Sequence, residues 1–382
     1  MEKRSFLKHL LFAAGGLPAF LAMKHSRAAN LNSLNDMLKT GTNQQRRYFK
    51  EAYHYLQFDP DAGCELCPNH CIIRPGKKGS CRTRINQDGK LMTMAYGNPA
   101  AVHIDPVEKK PLFHVLPSSR AYSIATAGCV LSCLNCQNWD LSQASPDETD
   151  NIDLMPTQVV EQCILNHCES IAYTYSEPTA WYEYAFDTAR IAKARGIRNL
   201  WISCGYINEK PLRELAPYID AANINLKSFS EEIYQKLNGG SLEPVLRTLK
   251  ILKEMGVWLE ITNLVVPTWT DDMAMIRRMC AYLVKEGFSD NPLHIIRFFP
   301  QYKLTQLPAT PVAVLEQARS IALEEGMKYV YVGNVPGTDY EDTFCPSCKR
   351  VVINRRGFRL LENNLTDGKC KFCHTPVAGL WL

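Results

Sequence analysis

Ala121-Tyr122-Ser123-Ile124-Ala125-Thr126-Ala127-Gly128-Cys129-Val130-Leu131-Ser132-Cys133-Leu134-Asn135-Cys136-Gln137-Asn138-Trp139 decides how this chain is read. A strand-like apolar run ends in a loop that carries Cys129, Cys133 and Cys136 at Cys-x3-Cys-x2-Cys spacing. Three thiolates on one short loop can hold three irons of a cubane 4Fe–4S cluster. The fourth iron then has no protein ligand. Clusters that only pass electrons are closed by four thiolates, so an open iron points to binding and activation of a small molecule. Zinc sites usually show paired Cys-x2-Cys knuckles rather than a lone triplet. The loop after the first strand of a β/α barrel is also where such folds place chemistry.

Downstream of the triplet, apolar strands alternate with amphipathic helices. Strands are expected to begin at Tyr122, Ile171, Leu200, Ala222, Val257 and His294, with a late one at residues 329–332. Helices are expected near 157–167, 181–195, 211–218, 231–237, 243–255, 271–286 and 311–325. Such alternation means βαβ units and a parallel sheet. The fold class is therefore α/β, a partial (β/α)6-type TIM barrel. Two further strands, at 89–96 and 100–104, lead into it.

The 382 residues suffice for one large α/β domain with appendages. The formal charge is only +4 and the charges are interspersed, so nothing in the charge argues for nucleic-acid binding. The fifteen cysteines are clustered. Metal-ligand spacing in clusters argues for metals rather than a disulfide framework. Cys64, Cys67, Cys71 and Cys81 can close a four-thiolate site, holding zinc or an auxiliary Fe–S cluster; the spacing fits both. His70 is a spare ligand or a surface histidine. Cys345, Cys348, Cys370 and Cys373 form two Cys-x2-Cys knuckles around a hairpin-sized insert, a zinc-ribbon-like pattern. A rubredoxin-like iron centre is the other reading of those four. Cys163, Cys168, Cys204 and Cys280 read as small buried hydrophobes.

The start of the chain has a basic run, Lys3-Arg4-Ser5-Phe6-Leu7-Lys8, then an apolar stretch from Leu10 to Met23. It reads as a signal-like segment resembling a twin-arginine export signal, with Lys3 in place of the first arginine. That suggests export or membrane association, whereas cluster chemistry of this kind is expected in the cytoplasm. Residues 30–63 read as a polar linker with one helix over 44–56.

Strand ends supply the other candidates. Glu177 follows the second strand of the series, Gly205 the third and Lys227 the fourth. Glu260, Asn263, His294, Arg297 and Asn334 fall on or after later strands, where they line a pocket or tie loops.

From Cys64 to Trp381 the chain resembles the radical S-adenosylmethionine (SAM) enzymes of the AmmeMemoRadiSam-system type, relatives of pyruvate formate-lyase activating enzyme. The resemblance rests on residues 64–71, 102–114 and 128–139, on 173–179, 297–302 and 331–337, and on the C-terminal knuckles. It implies a 4Fe–4S cluster on Cys129, Cys133 and Cys136 that chelates SAM, and a 5′-deoxyadenosyl radical made by one-electron cleavage. It further implies SAM contacts from Glu177, Gly205 and Lys227, a low-potential electron donor and, by analogy, a protein substrate. Two positions depart from the family pattern. Asn135 stands where an aromatic usually precedes the third cysteine, and Asn225 stands where an aspartate usually precedes the lysine by two.

The resulting organisation is a signal-like segment (1–29), a linker and helix (30–63) and a cysteine-rich lead-in (64–115). A radical SAM core (116–340) and a zinc-ribbon-like module (341–382) follow. A multi-centre electron-transfer protein without catalysis, or a metal-dependent assembly factor, is the alternative.

Overall fold

Seven strands that are apolar on both faces line up in chain order, because the six connections between them run through helices that return the chain to the same edge. The computed structural model describes residues 47–381. Its main sheet comprises β1 (Ala101–Pro106), β2 (Arg120–Ala125), β3 (Ser170–Tyr173), β4 (Arg198–Ser203), β5 (Ala221–Asn225), β6 (Trp258–Val265), β7 (Leu293–Arg297) and β8 (Val330–Gly333). β2 through β8 are parallel neighbours, and β1 pairs antiparallel with β2. The crossovers carry α1 (Pro156–Leu165), α2 (Tyr182–Ala194), α3 (Glu209–Leu215), α4 (Glu243–Glu254), α5 (Met273–Lys285) and α6 (Val312–Glu324). This is the expected α/β alternation: six β/α units and one more strand. β1 and β8 are the two ends of the hydrogen-bonded order, so the sheet does not close.

The strands are buried as a parallel sheet requires; all four residues of β3 are inaccessible. The helices bury one stripe each. In α4 the buried set is Pro244, Val245, Thr248, Leu249, Ile251 and Leu252, at helical spacing, with Glu243 and Arg247 outside. Burying a side chain such as Leu249 contributes about 2 kcal/mol.

One expectation fails. Residues 50–56 are not helical: Lys50–Glu51 and Tyr55–Phe58 are strands. Tyr55–Phe58 pairs antiparallel with Asp61–Cys64, and Lys50–Glu51 with Lys90–Thr93. Tyr48, Phe49, Tyr53, Tyr55 and Phe58 are aromatics that favour a pleated surface, and tertiary pairing with the lead-in strands decides the outcome. The part of that helix before residue 47, and the whole signal-like segment, lie outside the described residues. No helix among the described residues is long and apolar enough to cross a membrane.

At the N-terminal side of the sheet a buried polar network ties the C-terminal module to the core. Glu260 Oε2 accepts from Phe113 N–H at 2.9 Å and lies 2.6 Å from His294 Nε2, while Oε1 accepts from His114 N–H at 2.8 Å. Burial opposes the charge of Glu260, but His294 and His114 outweigh it and hold the carboxyl below its usual range. His114 Nδ1 lies 2.6 Å from the Ala378 carbonyl, which can only accept, so that nitrogen carries the proton. Nε2 then accepts from the Tyr331 hydroxyl at 2.6 Å. Arg355 donates to Phe113 O at 2.7 Å, and the Leu380 N–H donates to His114 O at 2.7 Å.

Glu260 and His294 therefore tie loops. Asn263, Arg297 and Asn334 donate respectively to the carbonyls of Leu226, Thr310 and Arg297. Removing the carboxylate leaves two backbone N–H groups and the His294 ring without partners. Glu260→Ala is expected to destabilise the metal-loaded protein by about 3–5 kcal/mol, measured by urea unfolding; a loss below about 1 kcal/mol contradicts the network's role.

Candidate functional site

The cysteine loop leaves the C-terminal end of β2 and has no regular structure of its own, so its backbone groups need outside partners. Ser132 N–H donates to Asn238 O and Leu134 N–H to Leu237 O, each at 2.9 Å. Both carbonyls belong to a tight π-helical turn, Tyr234–Asn238. The turn ends at Gly239 with φ +70°, and a Cβ there would sit 2.2 Å from Ser132 Oγ. From the other side Lys303 N–H donates to Leu134 O at 3.0 Å, and Trp139 stacks on Tyr302 with ring centres 5.4 Å apart.

The thiols have their own donors. Leu131 N–H donates to Cys129 Sγ at 3.4 Å and Asn238 Nδ2 to Cys133 Sγ at 3.3 Å. Hydrogen bonds to sulfur are one way a protein tunes an Fe–S cluster. Burial, then Glu177 and Cys133, push the Cys129 thiol well up. Such thiols deprotonate on taking up metal.

The three strand-end candidates gather around this loop. Glu177 is buried; Oε1 accepts from Ser203 Oγ at 2.7 Å and Thr179 N–H at 3.1 Å, and Oε2 from Cys204 N–H at 2.7 Å. Lys227 points among thiols: burial opposes its charge, but Cys133, Cys204, Cys129 and Cys136 together raise its pKa. Gly205 has φ +68°, and an added Cβ would come within 2.9 Å of Ile224 and 3.3 Å of Thr248. The constraint visible at Gly205 is thus protein packing. Asn135, beside Cys136, has a buried Oδ1 with no partner, and Asn225 donates to Ser203 O at 3.2 Å.

Sequence reasoning missed several neighbours. Cys204 is buried as expected, yet it lies with Cys129, Glu177 and Lys227; its place beside Gly205 at a strand end was the available signal. A cleft of about 440 Å³ opens next to the loop, lined among others by His103, Asn138, Asp140, Asp150 and Tyr175. Asn138 Nδ2 donates to Tyr175 O at 2.7 Å. Tyr175 bonds Asp105, whose carboxylate is 2.5 Å from Lys110. Burial pushes Lys110 down to about 8 despite that partner.

The triplet and the C-terminal quartet differ in spread. Cys345, Cys348, Cys370 and Cys373 place their sulfurs within 4.8 Å of one another, with Cys345–Cys373 at 3.5 Å and Cys348–Cys370 at 3.7 Å. Four ligands of one tetrahedral ion fit there. No three thiols of the Cys129 loop converge so tightly among the described residues. The insert between the C-terminal knuckles is a hairpin, Val351–Arg356 with Arg359–Asn363, as expected. His70 is exposed, 3.4 Å from Glu65.

Residues 123–280 match the model of the radical SAM superfamily. An uncharacterized protein of Methanocaldococcus jannaschii is 42% identical over 331 residues, which covers 86% of this chain and 98% of that protein. The pyruvate formate-lyase 1-activating enzyme of Escherichia coli K12 is 25% identical over 220 residues, covering 53% of this chain and 89% of the enzyme. Among solved structures, a radical SAM methyltransferase from Sphaerobacter thermophilus aligns with a TM-score of 0.45 at 11% identity, over 79% of this chain and 83% of that one.

Gly239 bears directly on the loop. Gly239→Ala forces a side chain into left-handed backbone, at about 1–2 kcal/mol, and pushes Ser132 away next to Cys133. The expected result is a fall in iron per chain after reconstitution, with the metal content of the C-terminal quartet unchanged. Equal iron in variant and wild type would show that the turn does not hold the loop.

Proposed function

We propose, from the premise that this chain belongs to the radical SAM superfamily, that it is a SAM-cleaving enzyme whose substrate presents a C–H bond for hydrogen abstraction. The observation that carries this is the set of three thiols on one braced loop, with Glu177 and Lys227 at neighbouring strand ends. Cys129, Cys133 and Cys136 would each hold one iron, leaving one iron for SAM. When bound, the cluster and SAM supply one-electron cleavage of a C–S bond and a 5′-deoxyadenosyl radical. The protein's part is to hold and orient. Lys227 offers a cation to the carboxylate of SAM, and a charge-assisted contact of that kind is stronger than a neutral one. Glu177 is kept in place by Ser203 and Cys204 and offers its remaining lone pairs to the SAM ammonium. Gly205 keeps the end of β4 tight beneath that ligand. Asn135 Oδ1 is a free acceptor beside Cys136.

The motifs quoted above favour the AmmeMemoRadiSam-system type within the superfamily. The substrate is proposed to be a protein or peptide segment entering by the cleft at His103, Asp140 and Tyr175. The similarity to an activating enzyme supports this, as does the cleft's position beside the cysteine loop. A low-potential one-electron donor is required. The C-terminal quartet is proposed to hold a structural zinc ion, because its four thiols already converge at tetrahedral spacing.

The anaerobically reconstituted protein should, with dithionite, convert SAM to 5′-deoxyadenosine and methionine. Cys133→Ala should abolish that conversion, by at least 100-fold on the order expected for loss of a cofactor ligand, and retain the zinc. A wild-type protein that carries its clusters and cleaves no SAM would instead be an electron carrier.

A further inference from the structure

Cys64, Cys67, Cys71 and Cys81 read in the sequence as a four-thiolate site, for zinc or for an auxiliary iron–sulfur cluster. We propose that these four cysteines hold a second multi-iron cluster, closed by four thiolates and packed against the loop of Cys129, Cys133 and Cys136.

The spread of the sulfurs argues against one ion. Zinc at about 2.3 Å from each of four sulfurs places them about 3.8 Å apart. The C-terminal quartet has that spacing, at 3.5 and 3.7 Å. The Cys64 quartet does not: among the described residues no three of its sulfurs lie within 4.8 Å of one another. The four are nonetheless neighbours. Cys64, Cys81 and Cys71 all act on Cys67, and Cys64 N–H donates to Cys71 O at 2.9 Å. Four neighbouring thiols with no three gathered around one point suit a multi-iron cluster better than a single tetrahedral ion.

A second, independent observation is Arg84. Its side chain is 1% exposed, and Nη2 meets Glu183 Oε1 at 2.5 Å. Its Nε and Nη1 are buried with no partner. Buried donors of this kind are rarely left open, and a guanidinium offers five N–H donors and no acceptor. After Glu183, Cys64 and Cys81 act most strongly on Arg84, with His54 and Tyr182 also near it. Glu183 Oε2 is itself a buried acceptor without a partner; one carboxylate oxygen cannot serve both N–H groups well, and an anionic metal–thiolate centre supplies the further acceptor.

The site also adjoins the catalytic loop. A Cβ on Gly128, the residue before Cys129, would lie 2.6 Å from Cys81 O. Asn69 Nδ2 donates to Val130 O at 2.8 Å. With four thiolates the second cluster has no open iron, so it does not bind SAM. The inference does not depend on SAM cleavage; it would stand for an electron carrier as well.

The test uses the full chain, reconstituted anaerobically with iron and sulfide, with iron, zinc and sulfide counted and Mössbauer and electron paramagnetic resonance spectra recorded. The expected wild type has about eight irons and about one zinc per chain, and two reduced signals of which SAM changes one. A triple variant, Cys129→Ala with Cys133→Ala and Cys136→Ala, should keep about four irons and the signal that SAM leaves unchanged. About four irons in the wild type with a single reduced signal that SAM changes, whatever the zinc, overturns the proposal, and so does a soluble triple variant without iron. Should the triple variant not fold, the wild-type counts alone decide.

Discussion

A loop with no secondary structure must present three thiols from the end of a strand, and the surrounding fold answers to that constraint. The loop's N–H groups go to the carbonyls of Leu237 and Asn238, so it is braced much as a strand is braced by its neighbour. Gly239 lets that brace come within contact of Ser132. Trp139 on Tyr302, and Lys303 on Leu134, close the opposite side. The sheet supplies the rest. Because β2, β3, β4 and β5 are adjacent and parallel, Cys129, Glu177, Gly205 and Lys227 emerge at one end of it.

The two ends of the sheet use the same residue types for different purposes. At the N-terminal side, Glu260 has its oxygens committed to Phe113, His114 and His294; it is a fastener for the C-terminal module. At the C-terminal side, Glu177 is fastened too, but next to thiols and a buried lysine. The difference lies in what each carboxylate faces. This follows the separation seen in β/α folds, where chemistry sits beyond the C-terminal strand ends and stability at the other side.

How much of this was legible in the sequence depends on the range of the interaction. The seven parallel strands and their helices were readable because burial on both faces or on one stripe leaves a periodic trace. The Cys129 triplet was readable because its ligands lie in one short loop. Residues 50–56, within the helix expected over 44–56, were misread because the pairing partners, 61–64 and 90–93, are set by tertiary contact and not by local pattern. Which of the two roles Glu260 and His294 take was beyond reach for the same reason: Glu260 accepts from the backbone at 113 and 114, 147 and 146 residues away, and His294 bonds Glu260, 34 residues away. Gly205 was singled out for ligand approach, whereas its φ and its contact with Ile224 are properties of the fold. Asn238 and Gly239 carry no motif at all.

The three groups of cysteines show how spacing in sequence and spacing in space separate. Cys-x2-Cys occurs in all three, so it cannot distinguish one ion from a cluster. What distinguishes them is how the intervening chain is held. In the C-terminal module the two knuckles face each other across short strands, and Cys345 and Cys370 lie in a core with Phe113, Tyr329 and Tyr331, on the N-terminal side of the sheet. That core draws four sulfurs to one point, as a structural ion requires. Single side-chain contacts on thiols occur in all three groups: Ser80 at Cys71, Thr83 at Cys81, Asn238 at Cys133 and Thr375 at Cys373. The C-terminal quartet, whose sulfurs converge, thus sits at the N-terminal side of the sheet, and the Cys129 triplet at the opposite strand ends.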